Sequence, residues 1–269
     1  MRRDRAARNF AAHDFLYRYV ADELFDRLGD VTRQFTRALL IGCPDEYMRD
    51  GLAAKGMKVV CADPGFANAR EMKGVQADED ALPFADASFD LIIACGTLES
   101  VNDLPGALIL IRRILRPDGL FLAAFAGAGS LPVLRSALLA GDADRPAQHI
   151  HPQIDVRSAG DLLSRAGFAM PVADGDSLTV RYSSLFSLMA DLRGMGASNM
   201  LMSQPPKMLR GTLARAAEAF AAAAEPDGKT AEVFSIIYLS GWAPDVSQPR
   251  PARRGSATVS LADALKRKD

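Results

Sequence analysis

The chain has 269 residues, 49% of them hydrophobic, and its 32 Lys and Arg against 33 Asp and Glu leave a formal net charge of −1. A mean hydropathy of +0.01 and a pI near 6.3 describe a globular composition, long enough to bury a core without disulfides or a structural metal. Disordered and small disulfide-scaffold classes are excluded, and the charge balance argues against a broad electrostatic grip on nucleic acid or anionic lipid. Cys43, Cys61 and Cys95 are odd in number and lack metal-ligand spacing, so they read as free thiols in a reducing compartment, and no metal site is predicted. The run from Leu104 to Ile114 contains Gly106 and falls short of the roughly 20 residues of a membrane span. The start, MRRDRAARNFAAHD, has no apolar stretch or small-residue cleavage site, so no secretory signal is read and a cytoplasmic location is expected.

Along residues 10–37, Leu16, Tyr17, Val20, Leu24, Leu28 and Val31 recur at helical spacing, predicting an amphipathic N-terminal extension over 1–37. Short unalternating apolar runs follow at 38–42, 57–62 and 89–94, separated by helix-like segments such as 46–55, which is the pattern of a parallel sheet covered on both faces. Pro105 opens a helix to Leu115, and Arg116-Pro-Asp-Gly119 predicts a turn into a strand over 120–126, with Gly supplying the positive φ. Helices are expected at 131–139, 156–166, 185–193 and 208–224, and strands at 177–182 and 233–242, with 141–146 an exposed loop. One α/β domain over 38–244 is predicted, with an insertion and substrate-facing segments within 127–230 and an extended Pro- and Arg-rich tail over 245–269.

The first strand enters Ile41-Gly-Cys-Pro-Asp-Glu-Tyr47, and Asp63 ends the second strand about 20 residues later. In doubly wound folds a nucleotide-like ligand lies there, its ribose hydroxyls donating to the acid. Pro44, Asp45 and Glu46 make this turn poor in glycine and rich in carboxylates, which favours an amine over a phosphate; an ordinary strand-to-helix connection is the other reading. Asp78 follows a short third strand on the same edge, placed either to accept from an exocyclic amine or to cap an acidic helix start over Asp78 to Asp80. His149-Ile-His151 has a spacing that can align two imidazoles, but no carboxylate completes a ligand set. His13 reads as solvent-facing, and Ser130, Ser183 and Ser184 lack the context of a hydrolase nucleophile. Met189, Met195, Met200, Met202 and Met208 supply either core filling or an adaptable binding surface.

Gly42, Asp63 and Asp78, then Leu82-Pro-Phe84, Phe89-Asp-Leu91 and Leu115-Arg-Pro-Asp-Gly119, resemble the class I S-adenosylmethionine-dependent methyltransferases, including those of biotin synthesis. Val101-Asn-Asp-Leu-Pro105, Ala166-Gly-Phe168, Met189 to Gly196 with Asn199, Ile237 to Trp242, and Arg254 to Val259 are similar to the complex I assembly family whose members modify an arginine of a peripheral-arm subunit. The resemblance implies a Rossmann-like, seven-stranded α/β sheet with its last strand antiparallel, S-adenosylmethionine as cofactor, and a protein substrate in complex I. It places cofactor binding at Gly42, Cys43, Asp63, Pro64, Asp78, Glu79, Cys95 and Gly96, and names no catalytic residue, since methyl transfer is chiefly alignment.

The chain departs from that family where Leu40 replaces an acidic residue, Pro44 and Glu46 replace glycines, and Glu99-Ser100 replaces a His-Trp pair. These changes predict weak or absent cofactor binding. Two further functions follow from the same residues: a non-catalytic assembly partner that has lost cofactor chemistry, and a methyltransferase of small molecules or acyl carriers.

Overall fold

The computed structural model describes residues 2–142, 147–201, 208–249 and 260. Seven strands form one sheet in the order β3-β2-β1-β4-β5-β7-β6. They are β1 (Arg37–Ile41), β2 (Lys58–Asp63), β3 (Val75–Gln76), β4 (Phe89–Cys95), β5 (Leu115–Ala126), β6 (Ala169–Tyr182) and β7 (Thr230–Trp242). The first five are parallel, and β7 runs antiparallel to both β5 and β6. The expected class I α/β architecture, last strand reversed, is therefore the one observed. Every residue of β4 is buried, which explains a run with no polar alternation.

The flanking helices are α1 (Arg2–Ala6), α2 (Phe15–Gly29), α3 (Tyr47–Ala54), α4 (Phe66–Glu71), α5 (Leu104–Ile114), α6 (Pro132–Asp142), α7 (Val156–Arg165), α8 (Leu185–Gly194) and α9 (Arg210–Ala222). On one face α2 and α3 set Val20, Leu24, Met48 and Leu52 against Leu40, Leu91 and Leu122. On the other, Leu108 and Ile111 of α5 and Leu163 of α7 meet Leu39, Ile92 and Phe121. A third cluster, with Leu134, Leu138, Leu188 and Phe220, joins α6, α8 and α9 over the ends of β6 and β7. It is built from the segment expected to face substrate.

Three local expectations change. Residues 169–176 extend β6 well before the expected start at 177, because an edge strand paired only with β7 tolerates mostly exposed side chains. In the Pro-Asp-Gly segment Asp118, not Gly119, takes the positive φ of 57°. Asp tolerates that region, while Gly119 is needed because a Cβ there would lie 2.9 Å from the Arg116 carbonyl oxygen. Helix α6 runs on to Asp142, into the expected loop. The remainder of that loop, residues 143–146, Met202, and nearly all of the tail beyond 249, with Arg250, Arg253 and Arg254, lie outside the described residues.

Candidate functional site

The strand order reverses between β1 and β4, and the carboxyl ends of β1, β2 and β4 open a crevice there. Gly42 leaves β1 at φ 80°, where a Cβ would sit 2.6 Å from the Cys95 carbonyl oxygen. No other residue fits this turn. The turn aims the Cys43 N–H at Asp63 Oδ2 (3.0 Å), while the Gly65 N–H donates to Asp63 Oδ1 (2.7 Å). Asp63 is fully buried, so its orientation is set by the backbone.

Into this corner comes Arg3 of α1. Its Nη1 donates to Asp63 Oδ2 (3.1 Å), and its Nη2 donates to Thr97 Oγ1 (2.6 Å) and to the Gly96 carbonyl (3.3 Å). Glu79 Oε1 lies 3.6 Å from Nη2. Burial opposes the Arg3 charge, but Asp63, Glu79 and Glu99 outweigh it and hold the guanidinium protonated more firmly than usual. Burial also pushes the Glu79 carboxyl up to about 7, against the pull of Arg3. Arg2 donates to the Ser198 carbonyl (2.6 Å) and to Ser100 Oγ (2.7 Å), and burial followed by repulsion from Arg3 lowers its pKa.

Of the residues expected to bind cofactor, Gly42, Cys43, Asp63, Glu79, Cys95 and Gly96 converge on this corner. Pro64 contributes a carbonyl that accepts from Gln76 Nε2 (3.2 Å). Asp78 is exposed, and its carbonyl accepts from the Ala81 N–H (3.0 Å), so the chain turns Glu79 inward instead. The Cys43 and Cys95 thiols are buried, and burial raises both pKa values, which keeps them protonated. Asp45 pairs with Arg18, and Glu46 is exposed.

From Gly96 and Asn68 a cavity of about 1010 Å³ runs past Glu99 and Ser100 to a chamber walled by Met189, Met195, Met200 and Met208. Its floor is Ala124 to Ala126 of β5, and His149, His151 and Asn199 lie on its far wall. His149 Nε2 meets both oxygens of Asp142 at 2.9 and 3.0 Å, and Asn199 Nδ2 donates to the Gln148 carbonyl (2.8 Å). No group of three or more metal-ligating side chains occurs among the described residues. His13 is not solvent-facing: its Nδ1 lies 2.7 Å from Asp191 Oδ1 and its side chain is 17% exposed, because the N-terminal segment is folded against α8. Ser130 is structural, exchanging hydrogen bonds with the Ser235 backbone. Tyr182 packs in the α6, α8 and α9 cluster, and Tyr238 lies beneath Arg27 at 4.2 Å.

Arg3 and Thr97 were invisible to reasoning along the chain. The only signal was the density of arginines in the first eight residues, read above only as lacking a leader's apolar core.

Comparison with known proteins places the fold and the family. Residues 10–171 match the methyltransferase domain family. The mitochondrial arginine-hydroxylase NDUFAF5 of Danio rerio is 36% identical over 266 residues, covering 94% of this chain and 83% of its own. A malonyl-acyl-carrier-protein O-methyltransferase of Halorhodospira halophila is 32% identical over 254 residues, covering 89% and 85%. Among solved structures, the YcgJ protein of Bacillus subtilis superposes with a TM-score of 0.59 at 15% identity, covering 84% of this chain and 98% of that one, a likeness of fold alone. The expected cytoplasmic location is corrected by the first relative, whose name places it in mitochondria. Free thiols signal a reducing compartment and do not separate cytosol from matrix.

Proposed function

Because the chain belongs to the methyltransferase-domain family that includes the arginine-hydroxylase NDUFAF5, we propose that it modifies a protein arginine, by hydroxylation or methylation, on a peripheral-arm subunit during assembly of respiratory complex I. The observation that carries this reading is the cavity that runs from Gly96, Asn68 and Arg3, the last bonded to buried Asp63, to the Met-lined chamber. A cofactor at the strand ends and a side chain entering through the chamber share that space.

The residues fit S-adenosylmethionine at its hydroxyl and cationic end. Asp63 is an acceptor held ready by two backbone N–H groups, Asn68 Oδ1 and Glu99 Oε2 are buried acceptors without hydrogen-bond partners among the described residues, and a Cβ on Gly96 would meet nothing within 4 Å. Asp63 would accept from the ribose hydroxyls, and Glu99 would face an ammonium. When bound, the cofactor supplies an electrophilic methyl group. The chain's own contribution is alignment and exclusion of water by the apolar chamber, which shortens the approach of a reacting nitrogen.

A second reading, O-methylation of an acyl carrier, is favoured by the methionine-rich chamber wall, which suits an apolar chain. The test is twofold. Titration calorimetry with S-adenosylmethionine and S-adenosylhomocysteine should show binding. Intact-mass analysis of the peripheral-arm subunits, from cells with and without this protein, should show a gain of about 16 Da for one oxygen or about 14 Da for one methylene. Unchanged subunit masses, with binding intact, would leave acyl-carrier methylation; no binding by millimolar ligand would leave a non-catalytic assembly partner.

A further inference from the structure

We infer that the cage formed by Asp63, Glu79, Thr97 and the Gly96 carbonyl is a guanidinium-binding site, filled in cis by Arg3, and that an arginine side chain and a ribose compete there for Asp63. The competition rests on the cofactor location proposed above; the cage itself does not.

The acceptors exist before Arg3 arrives. Asp63 is fixed by the Cys43 and Gly65 N–H groups at 3.0 and 2.7 Å, so its charge belongs to the β1 and β2 turns and not to α1. Glu79 is an independent sign of an unmet requirement. Its side chain is 8% exposed, and its Oε1 makes no hydrogen bond although it lies 3.6 Å from the Arg3 guanidinium. Two buried carboxylates facing one corner call for a cation. The directions of the remaining acceptors select its shape. Asp63 Oδ2, Thr97 Oγ1 and the Gly96 carbonyl are met by two nitrogens of one planar group, which the guanidinium fork satisfies and a rotating ammonium does not.

The occupant is held on a removable arm. Helix α1 has five residues, too few to be stable alone. Besides Arg3, it is anchored by Arg2 on Ser198 and Ser100 and by Asp4, which accepts from the Ala67 N–H at 2.8 Å. Ala6 of α1, and Phe10 in the 3-10 turn that follows it, are buried. Arg3 therefore acts as a tethered ligand at the end of a strap over the cavity. The same chemistry in trans is an arginine side chain of another protein, and a nucleoside reaching Asp63 must displace either one.

The experiment removes the tethered ligand and offers it back. Arg3→Ala is titrated by calorimetry with ethylguanidinium, with ethylammonium at matched ionic strength, and with Nα-acetyl-arginine amide as the trans source. The expected result is that ethylguanidinium and the arginine amide bind Arg3→Ala about tenfold or more tightly than they bind the unmodified chain, and more tightly than ethylammonium does. Equal binding to both proteins, or no preference over ethylammonium, overturns the cage. If the arginine amide binds and ethylguanidinium does not, the site needs the peptide and the guanidinium cage is again overturned. Should Arg3→Ala fail to fold, Arg3→Lys keeps the charge without the fork and is predicted to show the same preference. In parallel, S-adenosylhomocysteine is titrated into each protein. Tighter binding to Arg3→Ala by about tenfold, reversed by ethylguanidinium, supports competition. Binding that is unchanged or weaker overturns competition alone, and absence of nucleoside binding in every variant overturns the cofactor location and leaves the cage to stand on the guanidinium result.

Discussion

Glu79→Gln provides the sharpest test of the site's electrostatics. Burial moves this carboxyl from an ordinary 4.5 up to about 7, so between those values the folded chain binds more protons than the unfolded one. Stability then falls as pH rises through that window. It is fully retained below the unfolded value, and the loss is complete above about 7. At 1.36 kcal/mol per pH unit the full loss is about 3 kcal/mol. The neutral amide has the same shape and no titration, so it escapes this loss. Glu79→Gln should match the unmodified chain near pH 4.5 within about 1 kcal/mol and exceed it by about 3 kcal/mol at pH 8, with Arg3 still paired to Asp63. Urea denaturation at several pH values measures both curves, and at about 2–4 °C per kcal/mol the difference is also visible in thermal melts. A Glu79→Gln chain less stable than the unmodified one at pH 8, or a difference independent of pH, would refute the reasoning. The first result would mean that Arg3 stabilises the charged carboxylate by more than burial costs it, the second that the two effects cancel.

Three further outcomes follow from the geometry. Gly42→Ala meets both a φ of 80° and a backbone oxygen at 2.6 Å, and should lose about 2–4 kcal/mol in denaturant unfolding; a loss below about 1 kcal/mol would mean the turn relaxes freely. Asp63→Asn replaces an acceptor facing three donors by a group with one acceptor oxygen, so unfolding should cost about 3–5 kcal/mol less than in the unmodified chain, and S-adenosylhomocysteine binding by calorimetry should weaken about tenfold or more. Phe220→Ala empties a fully buried position between α6, α8 and α9, and a loss of about 3–5 kcal/mol is expected; near-neutral unfolding would show that the third cluster is not cooperative with the sheet.

The central strands were legible because burial on both faces removes polar alternation, and 38–42 and 89–94 stand out for that reason. The beginning of β6 was not, since its exposed residues carry no hydrophobic signature. The start of α5 read correctly because its signal, Pro105, is local; the Asp103 cap that accepts from the Gly106 N–H (2.9 Å) was not read. Asp78 and Glu79 mark the limit of such reading. Both are acidic, adjacent and past β3, and only the turn that follows decides which one faces inward. Arg3 is beyond any local rule, because its partners lie 60, 93 and 94 residues away.

The near-zero net charge takes its meaning from those long-range pairs. Asp45, Asp63 and Glu79 are each met by an arginine from the first eighteen residues: Arg18 for Asp45, Arg3 for Asp63 and Glu79. Of the acidic turn, Asp45 is thus already met by the N-terminal segment, while Glu46 is exposed. Because a buried carboxylate without its cation is costly, Asp63 and Glu79 are coupled to the segment that carries Arg3: whatever draws the segment away must itself bring a cation or hydrogen-bond donors to the strand ends. A sulfonium nucleoside and an arginine side chain each meet that condition, whereas a phosphate does not. On the proposed reading, the selectivity of the site resides in the exchange of one partner for another, which the glycine-poor turn does not decide alone.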